Sequence, residues 1–328
     1  MTVKSAGVQT EKTAVKSASG HSRKHVNPMN RQGPGDRVIS VVTYIVYAFF
    51  AFVCAYPFYY IIINSISSNT LSERGKVLFW PMEIHFKNYS RMSTIPGLLD
   101  AAQISVLRTV VGTVLTVIIA AFLGYMFTRD TMWKRKLWFR FVAVTMYFNA
   151  GIIPWVLCMR NLGLANNFWG YILPMAVQPF YIILCKTYCE SVPRELQEAA
   201  EIDGAGTLRV FIQIMLPVIK PILATIAIFA AVNQWNSFQD NLLLMTNRPD
   251  LDTLQYKLYQ YITQANSLKA LISNTTNSNA VMASLATAAT ATSIRMSVTV
   301  VVVLPIMLIY PFFQRFFTKG IMIGAVKG

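Results

Sequence analysis

The sequence predicts an all-α polytopic membrane protein with six transmembrane helices. Apolar residues make up 54% of its 328 residues and charged residues only 13%, and the mean hydropathy is +0.45. Soluble domains usually carry about 25% charged residues, so about half of the expected charge is missing. The charges that are present lie in short clusters and leave long uncharged runs between them. This distribution is typical of a chain that is solvated by lipid.

Six apolar stretches are long enough to cross a bilayer, which takes about 20 residues for about 30 Å of hydrocarbon. They are residues 38–65, 105–128, 137–159, 168–188, 214–235 and 294–313. The first is too long and too aromatic for the apolar core of a signal peptide, and no small-residue cleavage site follows it. We therefore expect an uncleaved anchor. Pro57 predicts a kink in this helix, which lipid-embedded helices tolerate when their neighbours satisfy the freed carbonyl.

Lysine and arginine residues in the connections predict the orientation, since cytoplasmic loops of membrane proteins carry an excess of both. Basic residues cluster in residues 1–37, in the connection 129–136 and in residues 315–328. The short connection between the third and fourth spans has only Arg160. We therefore expect both termini in the cytoplasm, together with the connection between the fourth and fifth spans.

The predicted organisation of the chain follows from these spans. Residues 1–37 form a basic cytoplasmic tail that we expect to be disordered, because it is rich in Lys, Ser and Thr. Residues 38–66 form the first transmembrane helix, and residues 67–100 form an extracellular loop. A core at residues 101–314 holds the other five helices and a second extracellular loop, at residues 236–293. A cytoplasmic tail, residues 315–328, ends the chain.

Several classes of function are disfavoured by the sequence. The net charge of +15 could suggest nucleic acid as a partner, but the basic residues flank apolar runs, as topology signals do. The four cysteines lie in or beside apolar runs without a nearby histidine, which predicts small buried side chains and no metal site or disulfide framework. The motifs GxxxxGK[ST], GxGxxG, HExxH and GxSxG do not occur. We expect neither a bound cofactor nor catalysis in this chain.

Ionisable residues are rare in the predicted spans. Arg108, Arg140 and Lys186 lie near span ends, where long cationic side chains reach the interface, and Arg295 begins the last span. No span interior contains Asp, Glu or His. Proton-coupled carriers place such residues inside the helix bundle, so the sequence counts against a carrier of that kind.

An acidic segment joins the fourth and fifth spans of this basic chain. It contains five carboxylates, at Glu190, Glu195, Glu198, Glu201 and Asp203. Together they would cost roughly 12 kcal/mol or more inside the hydrocarbon, so the segment must lie outside the bilayer.

The same segment predicts a short helix, a glycine turn and a second short helix. Pro193 suits a first helical turn, and acidic residues three apart then form one stripe. Gly204 and Gly206 end the helix, and an apolar helix at residues 207–215 leads into the fifth span. Two interpretations stand at this point. The segment is either an ordinary loop whose acids favour a helix N-terminus or a docking element for a partner.

The segment resembles the EAA loop of permeases of ATP-binding-cassette (ABC) importers. That motif is EAA, three residues, Gly, nine residues, then I-x-L-P. Here Glu198-Ala199-Ala200, Gly204, Ile214 and Leu216-Pro217 stand at that spacing. The stretches "VPRELQEAAEIDGAG" and "WNSF" are similar to the carbohydrate-uptake branch of the family. The resemblance covers about residues 38–328.

The end of the chain resembles the smaller permease subunit of the maltose importer, which closes with Gly-x-x-x-Gly-x-Val-Lys-Gly. The matching residues are Gly320, Gly324, Val326, Lys327 and Gly328. In that subunit the tail reaches between two ATPase subunits. The resemblance therefore implies that these five residues contact an ATPase.

The resemblance also implies a type I importer permease fold with a coupling loop, residues 192–217, that docks into a cleft of a separate cytoplasmic ATPase. The implied coupling residues are Glu198, Ala199, Ala200, Asp203, Gly204, Ile214, Leu216 and Pro217. The implied partners are a second related permease, an ATPase dimer that binds ATP and Mg, an extracellular solute-binding protein and the lipid of the bacterial plasma membrane. The implied function is uptake of a sugar or oligosaccharide, and the ATP is hydrolysed in another chain.

Aromatic and amide side chains of the spans are candidates for a sugar pathway, since such sites combine apolar platforms with a few placed polar groups. The candidates are Asn149, Trp155, Gln178, Asn233, Gln234, Trp235 and Asn236. Each serves equally well in bundle packing, interfacial anchoring or interhelical hydrogen bonding. Two other functions stay open: an autonomous channel or carrier for a small polar solute, and a membrane enzyme that uses the acidic segment.

Overall fold

The computed structural model describes residues 33–93, 95–273, 295–309 and 311, and these ranges are helical with no strand. The predicted tail up to residue 32 and the C-terminal tail lie outside the described residues. So do the five residues expected to contact an ATPase, Gly320, Gly324, Val326, Lys327 and Gly328.

Helix α1, Pro34–Ser65, matches the first predicted span, and it continues past Pro57 to its end. The chain divides into two units, Met1–Tyr56 and Pro57–Gly328. In the described part of the first unit nearly every side chain is exposed, although most are apolar. A helix that is apolar on all sides is typical of a membrane span.

The connection after α1 contains two short helices, α2 (Asn69–Glu73) and α3 (Lys87–Ser93). It folds back on the end of α1 through buried amides. Asn64 Nδ2 donates to the Val77 carbonyl at 3.2 Å, and Asn88 Nδ2 donates to the Ser65 carbonyl at 3.1 Å. The predicted extracellular loop is therefore an ordered structure at the end of the first span.

Helix α4, Leu98–Met126, matches the second predicted span and lies at the centre of the second unit. Small residues recur every four positions on its buried face, at Gly112, Thr116, Ala120 and Gly124. A Cβ atom on Gly124 would lie 2.8 Å from the Cys185 Cβ atom. Glycine therefore permits the close helix contact, as small residues do in membrane bundles.

The third predicted span, residues 137–159, is not one helix. It is divided into α5 (Arg135–Thr145) and α6 (Ile152–Asn161). The break has a local cause, since Asn149 Oδ1 accepts a hydrogen bond from the Gly151 amide at 2.9 Å and Gly151 has a φ of 86°. At 1.5 Å per residue each helix covers about 16 Å, roughly half of the hydrocarbon.

The fourth predicted span consists of α7 (Trp169–Ala176) and α8 (Pro179–Glu190), which meet at an angle of 46°. The backbone at Val177 and Gln178 is extended. Extended backbone is favoured directly before a proline, and Pro179 follows Gln178. The span is therefore bent at its middle.

The fifth predicted span, residues 214–235, also consists of two parts. The coupling loop contains α9 (Glu195–Ile202), α10 (Thr207–Val210), a π-helical turn (Phe211–Met215) and α11 (Leu216–Val218). Helix α12, Lys220–Asn236, then leaves at an angle of 80°. The span proper begins at Lys220, six residues later than the hydropathy predicts.

The predicted second extracellular loop also contains helices in its described part. These are α13 (Gln239–Leu244), a 3₁₀ turn (Pro249–Leu251) and α14 (Leu254–Ser273). Helix α15, Arg295–Ile309, lies in the sixth predicted span. Among the described residues, α1 and α4 are each long and apolar enough to cross a membrane, and the two bent pairs raise that number to four.

Candidate functional site

The coupling loop begins with the predicted short helix and glycine turn, and both are confirmed. At the end of α9 the Ala205 amide donates to the Ala200 carbonyl at 2.9 Å, and the Gly204 amide donates to the Glu201 carbonyl at 3.0 Å. This pair of bonds is a Schellman motif, which needs a left-handed residue at its centre. Gly204 supplies it with a φ of 81°. A Cβ atom there would meet no neighbour within 4 Å, so only the backbone conformation requires glycine.

One face of the loop is exposed and mixes charged with apolar side chains. Ile202 is 85% exposed and Leu208 is 62% exposed. Of the residues that the resemblance implies for coupling, five are exposed and three are half-buried. The exposed ones are Glu198, Ala199, Asp203, Gly204 and Pro217, and the half-buried ones are Ala200, Ile214 and Leu216.

A neighbouring face of α9 is held by Arg129, which lies three residues after the end of α4. Arg129 Nη1 donates to Gln197 Oε1 at 3.0 Å, and Nη2 pairs with Glu201 Oε1. The guanidinium carbon lies 5.9 Å from the centre of the Tyr125 ring, and Tyr125 stacks on Phe211 at 5.3 Å. Sequence reasoning counted Arg129 only as an orientation signal and missed this contact. In the sequence, this contact is indicated only by the i, i+4 spacing of Gln197 and Glu201, which places both side chains on one face of a helix.

A cavity of about 510 Å³ lies beside this contact, between α9, the end of α8 and the segment after α4. Its walls carry both signs of charge. The cations are Arg129, Arg135, Lys136, Lys186 and Arg194, and the anions are Asp130, Glu190, Glu198 and Glu201. Several of these charges are paired across the groove or within one helix, as in Lys186–Glu190 at 2.6 Å. The groove therefore presents no field of a single sign.

Arg108 does not reach towards the interface, and that expectation is wrong. Its side chain is 1% exposed and forms an ion pair with Asp240 at 2.5 Å. Gln234 Oε1 accepts from the same guanidinium at 3.1 Å, and the guanidinium carbon lies 4.4 Å from the centre of the Tyr171 ring. The position near a span end suggested a solvated cation, but the chain after α12 folds back and covers it.

The segment that covers Arg108 is held by further buried polar groups. Asn241 Nδ2 donates to Asp252 Oδ1 at 3.1 Å, and Asn241 Oδ1 accepts from the Thr253 amide at 2.7 Å. Lys257 pairs with Asp252 at 2.7 Å, and Ser105 Oγ accepts from the Leu254 amide at 2.8 Å. Part of the predicted polar loop is thereby fixed to α4.

A second cavity, of about 330 Å³, adjoins Asp240. It brings two of the sugar-pathway candidates together, Asn149 and Trp155, and Ser237 and Gln239 also line it. This is the volume of a small-molecule site with one aromatic wall and several polar groups.

The other candidates lie elsewhere. Gln234 binds Arg108, and Trp235 Nε1 donates to the Val302 carbonyl at 2.9 Å, so both have structural partners. Gln178 is half-buried just before α8. Asn233 and Asn236 are exposed on α12. None of these five lines the second cavity.

Within the described ranges no three His, Cys, Asp or Glu side chains come together as a metal site would require. Cys185 and Cys189 are buried in the core near the coupling loop, whereas Cys54 and Cys158 are exposed. Of the five carboxylates in the acidic segment, Glu190, Glu198 and Glu201 line the first cavity together with its cations, whereas Glu195 and Asp203 are exposed outside it.

Comparison with known proteins agrees with the motif spacing. The family described as "Binding-protein-dependent transport system inner membrane component" matches residues 25–323. Protein LplC of Bacillus subtilis (strain 168) is 34% identical over 274 residues, which cover 83% of this chain and 89% of that protein. The polygalacturonan/rhamnogalacturonan transport system permease protein YtcP of the same organism is 29% identical over 294 residues, which cover 89% and 99%.

A solved structure is also similar. It is a chain of a bacterial ABC transporter involved in the import of the acidic polysaccharide alginate, at a TM-score of 0.75 and 30% identity. The match covers 87% of the present chain and 99% of the solved one. These findings confirm the resemblance to ABC importer permeases and, with it, the predicted fold class.

Proposed function

We propose that this chain forms half of the translocation pathway of an ATP-driven importer, since it belongs to the family of binding-protein-dependent transport system inner membrane components. The imported solute is a sugar or oligosaccharide. The energy comes from a separate ATPase, which the coupling loop contacts. The observation that carries the proposal is the coupling loop itself, where the family's motif spacing coincides with an exposed helix that ends in the Gly204 turn.

The exposed face of this hairpin suits a protein contact. Interfaces commonly place an apolar anchor at the centre and charged residues around it. Ile202 and Leu208 provide apolar anchors, and Glu198 and Asp203 provide carboxylates for basic groups of a partner. We assign the contact with the ATPase to Glu198, Ala199, Ala200, Asp203, Gly204, Ile214, Leu216 and Pro217. ATP and Mg would bind in the partner, and this chain would bind neither.

The sugar assignment is supported by the relatives and by the second cavity. The relative YtcP carries polygalacturonan and rhamnogalacturonan in its name, and the similar solved chain comes from an alginate importer. In the present chain the cavity offers Trp155 as an aromatic wall and Asn149 and Gln239 as amide partners for hydroxyl groups. The Asp240 carboxylate can accept from a hydroxyl group while Arg108 compensates its charge.

The remaining assembly is proposed as follows. A second, related permease completes the pathway, an ATPase dimer binds on the side of the coupling loop, and a solute-binding protein delivers the sugar from outside. Both termini lie in the cytoplasm of a bacterial cell. The five C-terminal residues Gly320, Gly324, Val326, Lys327 and Gly328 contact the ATPase dimer.

Purification in mild detergent tests this assignment. An ATPase and a second permease should copurify, and a binding protein loaded with sugar should stimulate ATP hydrolysis. The sugar is found by screening the binding protein against a panel of oligogalacturonides, alginate oligosaccharides and uncharged oligosaccharides. Solute flux through this chain alone in liposomes would overturn the proposal in favour of an autonomous carrier.

A further inference from the structure

Arg129, three residues after the end of α4, binds α9, the first half of the coupling loop. We propose that it is a positioning residue, which holds α9 at a fixed angle to α4 and passes the movement of α9 into that helix. The inference rests on the proposed function, because it takes α9 to be the element that the ATPase moves.

Helix α9 needs such a support. It has eight residues, and an isolated helix of that length is unstable in water. The exposed Pro193 lies shortly before the helix begins, and the Gly204 turn follows its end. Gln197 is its one buried residue. Few packing contacts therefore determine its direction.

The guanidinium of Arg129 restricts the direction of α9. It binds Gln197 and Glu201, which stand one turn apart on the same face of α9. A guanidinium is planar and its donors have fixed directions, so two such bonds restrict both the rotation and the tilt of the helix. The Arg129 side chain is only 13% exposed, which limits competition by water.

The second half of the loop contacts Tyr125 of α4, and the guanidinium of Arg129 lies against the same ring. Tyr125 lies in the last turn of α4, four residues before Arg129, and is fully buried. Its ring faces the guanidinium on one side and stacks on Phe211, in the π-helical turn, with an interplanar angle of 24°. Both halves of the coupling loop therefore meet α4 at one point.

Helix α4 leads from that point to the second cavity. It packs against α7, α8 and α12, and in its first half Arg108 binds Asp240 in the cavity wall. From Arg108 to its end at Met126 the helix runs for about 27 Å at 1.5 Å per residue, and Arg129 follows three residues later. Rigid elements with polar contacts at both ends can carry coupling over such distances. Arg129 thus provides a route to the cavity in addition to the covalent link through α12.

A distance measurement tests the positioning directly. Spin labels are placed at the exposed residues Thr131 and Glu195, by substitution with cysteine in a chain whose exposed Cys54 and Cys158 are serine. The full complex is reconstituted in nanodiscs and measured by pulsed electron resonance, without nucleotide and with Mg-ATP and vanadate. The parent chain should give a narrow distribution of distances between the two labels, and Arg129→Ala should broaden it. Arg129→Lys keeps the positive charge but lacks the planar guanidinium, so it should broaden the distribution less.

A matched control comes from the same groove. Lys186→Ala removes an ion pair within α8, so it should leave the distance distribution unchanged. The double variant Arg129→Glu with Glu201→Arg restores the attraction and should narrow the distribution again. Arg129→Lys and the double variant keep polar groups at these positions, so they test the positioning role even if Arg129→Ala does not fold. Distributions that stay the same in all Arg129 variants would overturn the inference.

A functional readout separates this inference from the proposed function. In Arg129→Ala the stimulation of ATP hydrolysis by the loaded binding protein should fall by about fivefold or more, with basal hydrolysis retained. The probe is the panel sugar that the binding protein retains. Glu198→Lys in the same assay tests the coupling loop itself. If Glu198→Lys abolishes stimulation and Arg129→Ala does not, only the positioning role is wrong, whereas the coupling role fails if neither variant has an effect.

Discussion

Arg108 Nη2 lies 2.5 Å from Asp240 Oδ2, and both side chains are buried although 132 positions separate them in the chain. Gln234 and the Ser237 carbonyl complete the hydrogen bonds of the guanidinium. Because the pair is so fully enclosed, removal of one partner leaves an uncompensated buried charge. The segment that follows α12 is consequently tied to α4.

Arg108→Ala should therefore destabilise the protein by about 3–5 kcal/mol, the usual cost of breaking a buried pair from one side. The midpoint of thermal unfolding, followed by circular dichroism in mild detergent, measures it. The double variant Arg108→Met with Asp240→Leu should lose less than the sum of the single variants. Arg248→Ala is the control, since it breaks the exposed Arg248–Asp250 pair, and it should leave the midpoint in place. Equal midpoints for all variants would contradict the structural role of the buried pair.

Gly204 and Gly206 form a matched pair for testing the glycine turn. Gly204 has a φ of 81° and Gly206 a φ of −69°, and an added Cβ atom would meet nothing within 4 Å at either position. Gly204→Ala should cost about 1–2 kcal/mol of backbone strain and turn α10 away from α9. Gly206→Ala should be tolerated. Uptake into proteoliposomes, normalised to the inserted protein, reports the difference, and equal uptake by both variants would show that the turn is not needed for coupling.

Glu198→Lys should leave the protein inserted and stable, since the residue is exposed on α9. It reverses a charge on the face assigned to the ATPase, so ATP hydrolysis should no longer drive uptake. Glu83→Lys makes the same change of charge at an exposed residue of the connection after α1 and should transport normally. Parallel assays of uptake and ATP hydrolysis measure whether the two activities remain coupled in each variant. Normal transport in Glu198→Lys would remove this residue from the coupling contact.

Gly124→Ala should separate α4 from α8. The added Cβ atom would lie 2.8 Å from the Cys185 Cβ atom and 3.0 Å from the Lys186 backbone nitrogen, and neither neighbour is the end of a flexible side chain. Overpacking of this kind costs about 1–3 kcal/mol. Size-exclusion chromatography after heating gives the midpoint. Val110→Leu, on the exposed face of α4, adds its methylene group away from the bundle and should behave as the parent.

Trp155→Leu should weaken the proposed sugar contact in the second cavity. Loss of an aromatic platform costs roughly 0.5–1.5 kcal/mol, so the half-saturating concentration of the loaded binding protein should rise by about 2- to 10-fold. Trp133→Leu is the control, because Trp133 is exposed and lies outside that cavity. Identical uptake curves for the two variants would take Trp155 out of the pathway.

The coupling loop could be predicted because its information is local. The spacing of Glu198, Gly204 and Pro217 stands within 20 consecutive residues, and the turn depends on the backbone of Gly204 alone. The apolar runs of α1 and α4 are equally local. The broken third span carried a local signal too, in Asn149 and Gly151, but an average over an apolar window does not register one amide and one glycine.

The polar contacts inside the fold depend on packing between distant segments. Arg108 and Arg129 each stand at a span end, where hydropathy assigns a cation to the interface. Their partners Asp240, Gln197 and Glu201 come 68 to 132 positions later. Composition and periodicity describe which residues meet lipid, but a charge pair forms only where folding brings two segments together and excludes water. Membrane insertion and the coupling motif are thus properties of local sequence, whereas the link from α9 through α4 to the second cavity arises from the folded arrangement.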